Sequence, residues 1–135
     1  MSNEDDEVIK TIQAMYRTIK TFSDMGLHTV VDDVFSVSQE LLEECVDILH
    51  DYPVLFVHVT CSLEELRRRE KERGDRTIGQ AEEQLSILLP LDNTYDVTVD
   101  THMDTKEKCA DKIIERLDCH NNDTAFKILW KQRNK

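Results

Sequence analysis

Glycine is scarce in this chain. Its 135 residues include only Gly26, Gly74 and Gly79, and no Gly-x-x-x-x-Gly-Lys-[Ser/Thr] string, so the usual loop that cradles a phosphate with backbone amides is not encoded. Proline is limited to Pro53 and Pro90. With no Pro- or Gly-rich linker, the length suits one domain with a modest core. No apolar run is long enough to span a bilayer, and Met1–Asp6 is acidic, unlike a signal peptide. We expect a cytoplasmic protein without a membrane partner. Cys45, Cys61, Cys109 and Cys119 form no Cys-x-x-Cys pair and are expected to be reduced packing thiols. The formal net charge of −11 speaks against a nucleic-acid partner, because neutralising phosphates needs a basic face. His28, His50, His58, His102 and His120 lack metal-ligand spacing, and no Ser or Cys sits in a nucleophile motif. His58, inside an apolar run, reads as a packed residue.

The sequence does contain regular periodicity. Val8, Ile9, Ile12, Met15, Tyr16, Ile19 and Phe22 recur every three or four residues, which predicts an amphipathic helix over Asp5–Met25 stopped by Gly26. His28–Val34 is β-branched and apolar, and predicts a short buried strand ending in Asp32-Asp33. Ser36 and Gln39 make a capping box for a helix that turns Leu41, Leu42, Cys45, Ile48 and Leu49 inward. Val54–Cys61 is the strongest strand signal. Ser62 with Glu65 caps the next helix, and a further helix from Gln80 to about Leu88 is closed by Pro90. Tyr95–Thr101 predicts a third strand, and Asp104 with Glu107 caps a helix to about Leu117. The polar stretch 119–135 reads as a tail with one docking turn at Phe126–Trp130, beyond a domain at 5–118. Strands alternating with helices imply parallel βα units with right-handed crossovers, whose ligands lie beyond the carboxyl ends of the strands.

Two features at that edge carry chemistry. Arg67, Arg68, Arg69, Arg73 and Arg76 fall within ten residues of an acidic chain. Arg69 and Arg73 share a helix face, Gly74 releases the backbone, and Arg76 follows on a turn. Guanidinium forks match phosphate oxygens. Equally, Glu64, Glu65, Glu70 and Glu72 lie within pairing distance, so a solvated, internally paired helix is the competing reading. An apolar strand ending in Asp32-Asp33 is the Walker B pattern, which serves magnesium between phosphates.

Together these residues resemble a known family. Val30-Val31-Asp32-Asp33-Val34-Phe35, Val54–Cys61, Arg69-Glu70-x-x-Arg73-Gly74-Asp75-Arg76, Gly79-x-Ala81 to Gln84, and Tyr95–Thr101 look like the chloramphenicol phosphotransferase-like family of P-loop kinases, in order and spacing from about Met15 to Leu117. The resemblance implies an ATP-dependent small-molecule O-phosphotransferase with a three-layer αβα parallel sheet. It makes Asp32 and Asp33 the magnesium carboxylates, Arg69, Arg73 and Arg76 lid arginines facing the phosphates, and Asp100 and Thr101 neighbours of the adenine or ribose. The acceptor would be a hydroxyl of a small molecule. The family also opens with a Walker A strand and loop and a second strand bearing the proposed catalytic base, and nothing here resembles them. We therefore expect an incomplete, N-terminally truncated fold with the first two strands missing, inactive as this chain alone. A partner segment could cover the open sheet. The alternative is a non-catalytic remnant acting as a protein-interaction module.

Overall fold

In the computed structural model, which describes residues 3–32, 39–74, 94–119 and 124–134, the periodic stripe of the first helix meets the rest of the core. Helix α1 (Asn3–Asp24) buries Tyr16 and half-buries Ile12, Met15 and Ile19. Its outer face satisfies Thr11, Thr18 and Thr21 by bonding their hydroxyls to carbonyls one turn back. Gly26 ends it at φ 78°, where the Leu27 amide reaches back to the Phe22 carbonyl at 2.9 Å. A left-handed residue satisfies the orphan carbonyls of a helix end in this way, and glycine takes that conformation without a Cβ penalty.

Helix α2 (Gln39–Leu49) buries Leu41, Leu42, Cys45, Val46 and Leu49. It packs against α1, with Gln13 Nε2 donating to Glu44 Oε2 at 2.8 Å and the Tyr52 hydroxyl to Asp24 Oδ1 at 2.6 Å. That last hydrogen bond, with lesser help from burial and nearby carboxylates, pushes the Tyr52 phenol up to about 12. Strands β1 (Val57–Thr60) and β2 (Val97–Asp100) pair in parallel with Val57 opposite Val97 and Thr60 opposite Asp100. Between them runs α3 (Leu63–Arg73), and β2 is followed by α4 (Lys106–Leu117), which packs on it.

Two short strands are marginal by themselves and need a helical surface. Phe56 and Tyr95, just ahead of the strands, supply the junction. Their rings lie 4.7 Å apart, Phe56 meets Phe126 edge-on at 5.0 Å, and buried His58 stacks on Tyr95 at 4.3 Å. Phe126 belongs to α5 (Ala125–Arg133), which is held to α2 by Arg133 on Asp47 at 2.9 Å and to the turn after α2 by the His50–Trp130 stack. The segment expected to make one docking turn is thus a nine-residue helix with Phe126 in the central cluster. Asp96 joins these parts. Its side chain is 3% exposed, and it accepts the Phe56 amide at 2.7 Å and the Ala125 amide, first in α5, at 2.9 Å.

The structure is mixed α/β with a small parallel sheet, and it departs from the expected strand set in one place. Residues 28–32 are not a strand: they are irregular and exposed, with Val30 entirely so, and they join no ladder among the described residues. β-propensity is largely packing against cross-strand neighbours. The described strands pair only with each other, so Thr29-Val30-Val31 has no such surface. The capping box at Asp104 is also displaced. Thr105 caps α4 by accepting the Lys108 amide at 3.2 Å, while Asp104 pairs with Lys112 at 2.7 Å. Ser36, and the helix expected at 80–88, lie outside the described residues.

Candidate functional site

The carboxyl ends of β1 and β2 converge on a small polar rim. After β1, Ser62 adopts an extended conformation, and its hydroxyl accepts the Glu65 amide at 3.2 Å. That cap starts a helix whose only apolar residues are Leu63 and Leu66. Its cohesion comes instead from side-chain pairs three and four apart. Arg68 grips Glu65 with both Nε at 2.9 Å and Nη2 at 2.6 Å, and reaches Glu72 with Nη1 at 2.6 Å. Gly74 closes the helix at φ 67° with its amide on the Glu70 carbonyl at 3.2 Å.

After β2, the Thr101 amide adds one more rung by donating to the Thr60 carbonyl at 2.9 Å. Asp100 Oδ1 then accepts the amides of His102 at 2.9 Å and Met103 at 3.1 Å, folding the loop over its own carboxylate. Those two backbone donors, Met103 first, hold the Asp100 carboxyl below the usual range.

Arg69 bridges the two sides. Its Nε donates to Glu65 Oε1 at 3.0 Å, Nη1 to Thr101 Oγ1 at 3.0 Å and to Cys61 Sγ at 3.6 Å, and Nη2 to the Thr101 carbonyl at 3.4 Å. Glu65 is almost buried and lies 3.5 Å from His102 Nδ1. Its carboxyl is held down at about 2, by the Arg68 hydrogen bonds first and then, against a burial effect of opposite sign, by Arg69. Burial pushes the Cys61 thiol up, so it is no thiolate nucleophile at neutral pH.

The rim therefore brings together Arg69, Asp100 and Thr101. Arg73 lies exposed one turn beyond Arg69 on α3. Asp32 does not join this group: it is exposed at the end of the unpaired 28–32 segment. Arg76 and Asp33 lie outside the described residues. Among the described residues no three His, Cys, Asp or Glu side chains are grouped so as to hold a metal ion. Cys61 is free and buried, in line with the packing thiol expected from the sequence, and Glu65 is expected there both as a cap partner and as a pair for the arginines. Ser62 does cap, but the Glu65 carboxylate is turned to the arginines. Its pairing with Arg68 and Arg69 is local and legible at three- and four-residue spacing, whereas the onward link from Arg69 to Thr101 is not.

No helix of the described residues is long and apolar enough to cross a membrane. No solved structure matches the chain. Two curated relatives from Mycobacterium tuberculosis, strains CDC 1551 / Oshkosh and ATCC 25618 / H37Rv, each bear the name "Putative O-phosphotransferase". Each is 30% identical over 121 residues, covering 90% of this chain and 53% of the relative, so the chain spans about half the length of these proteins. The family description "Chloramphenicol phosphotransferase-like protein" matches residues 1–118. With most of its length so matched, the chain belongs to the chloramphenicol phosphotransferase-like family.

Proposed function

We propose that this chain contributes the arginine rim of a cytoplasmic, ATP-dependent O-phosphotransferase of P-loop type, acting on a hydroxyl of a small molecule. The observation that carries the reading is the placement of Arg69, Asp100 and Thr101 at the carboxyl ends of parallel strands, where open α/β sheets bind ligands, in a chain of this family. The exposed Arg73 and the following Arg76 are the candidates for direct phosphate contact. The loop Asp100–His102 is the candidate neighbour of the nucleoside. Magnesium takes one or two carboxylates and fills its shell with phosphate and water. Asp32 and Asp33 are carboxylates of that kind and remain the magnesium candidates by donor type alone, since Asp32 sits exposed on the unpaired 28–32 segment and not at the rim.

With only three glycines and no glycine-rich loop, the chain alone is expected to bind nucleotide weakly and to be inactive in transfer. Amide chemical shifts recorded during a magnesium–ATP titration test this. Saturable shifts at Asp100–His102 and Arg73 are expected, with a Kd on the order of 1 mM. Arg73→Ala and Arg76→Ala each weaken it about tenfold, the worth of a charge-assisted hydrogen bond. A titration that moves none of these amides refutes the proposal.

One observation favours a second reading, a non-catalytic interaction module. Val59 on β1 is 61% exposed although its neighbour Val99 is buried, and Val30 is bare. That reading predicts a native complex heavier than 15.8 kDa and no response to ATP.

A further inference from the structure

A guanidinium has five N–H donors in one plane. In Arg69, whose side chain is 39% exposed, four contacts run to the protein: Nε to Glu65, Nη1 to the Thr101 hydroxyl and Cys61, Nη2 to the Thr101 carbonyl. The two ends of this bridge are themselves fixed. Glu65 is clasped by Arg68 through two nitrogens, and Thr101 is the last rung between β1 and β2. On one side lies the helix that ends in Arg73 and Gly74. On the other lies the loop that Asp100 folds around its carboxylate.

We propose that Arg69 is a positioning residue, a latch seated by Glu65 and closed on Thr101, that fixes the Asp100–Asp104 loop relative to the arginine helix. Its consequence for nucleotide binding rests on the phosphotransferase reading; the latch itself does not. The latch acts through geometry, so it needs the fork and the Thr101 hydroxyl, and charge by itself is insufficient. A group that met phosphate directly would need the charge and would be indifferent to that hydroxyl.

Four variants separate these roles: Arg69→Lys, Thr101→Val, Thr101→Ser, and the double variant Arg69→Lys/Thr101→Val. The first readout is amide hydrogen exchange at His102 and Met103. Exchange is expected to quicken about tenfold in Arg69→Lys and in Thr101→Val, to stay near that of the parent chain in Thr101→Ser, and to rise no further in the double variant, as for two halves of one contact. The second readout is magnesium–ATP affinity in Arg69→Lys, expected to fall about tenfold; the Thr101 variants, which lie in the candidate nucleoside loop, are read by exchange alone. Unchanged exchange in Thr101→Val, or additive effects in the double variant, overturns the latch. Faster exchange with unaltered ATP affinity overturns its role in positioning. If the parent chain does not respond to ATP, the phosphotransferase reading falls and the positioning role falls with it, while exchange still decides whether the latch exists.

Discussion

Replacing Asp96 by alanine should be among the most damaging single changes in this chain. The carboxylate accepts two backbone amides, Phe56 at 2.7 Å and Ala125 at 2.9 Å, and its side chain is 3% exposed. Arg116 Nη2 stands 3.9 Å from Oδ1, and its Nε donates to the Asp96 carbonyl at 3.0 Å. Alanine leaves both amides without their acceptor in a place water enters poorly. Hydrogen bonds to a charged group are worth about 1.5–3 kcal/mol each, so two of them give about 3–6 kcal/mol. A domain with a total of about 5–15 kcal/mol feels that strongly. Asparagine keeps one acceptor but turns an NH₂ toward the other amide, and is expected to cost about 2–3 kcal/mol by the same principle. Urea unfolding followed by the fluorescence of Trp130, the single tryptophan, is a direct assay. Trp130 sits on α5, whose first amide Asp96 holds, and stacks on His50 at 4.2 Å. A loss below about 1 kcal/mol for alanine would show that the two amides find other partners, and would sink the argument that Asp96 pins the strands to α5.

Two further outcomes follow from the rim. The Glu65 carboxyl is depressed to about 2 from an ordinary 4.5, so its stabilising contribution is complete above the ordinary value and is lost as pH falls toward 2. Thermal melts of the parent chain and Glu65→Gln between pH 6 and pH 2 should therefore converge at the acid end, and a constant gap would contradict the assignment. Gly74→Ala meets nothing within 4 Å but must hold φ at +67°. It should cost about 1 kcal/mol from conformation alone, readable as a small fall in urea midpoint; no fall would mean the helix end rearranges.

Where local rules decide the outcome, the sequence was legible. The helical stripe from Ile12 to Ile19, the glycine stops at 26 and 74 and the cap at Ser62 all depend on residues within one or two turns. The central parts of Val54–Cys61 and Tyr95–Thr101 were legible too, since each packs into an apolar junction. The strand expected at 28–34 failed over its described part because a strand is defined by its neighbour. Thr29-Val30-Val31 has the composition without the pairing. α5 was under-read for a related reason: nine residues rarely hold a helix unaided, and α5 owes its length to α2 and the turn after it, through Arg133 on Asp47 and Trp130 on His50. Arg69 was placed at the rim, but the sequence could not show which partners its guanidinium takes, since Thr101 lies thirty-two residues further on.

Helix α5 has a consequence for how relatedness is read in this chain. The family match ends at residue 118, yet Phe126 shares the buried cluster with Tyr16, Leu42 and Val46, and Leu129 and Trp130 pack beside it. The family match and the packed cluster therefore have different ends. A fragment cut at the end of the family match would keep Tyr16, Leu42, Cys45, Val46 and Leu49 but lose Phe126 from the buried cluster and Leu129 and Trp130 from its flank.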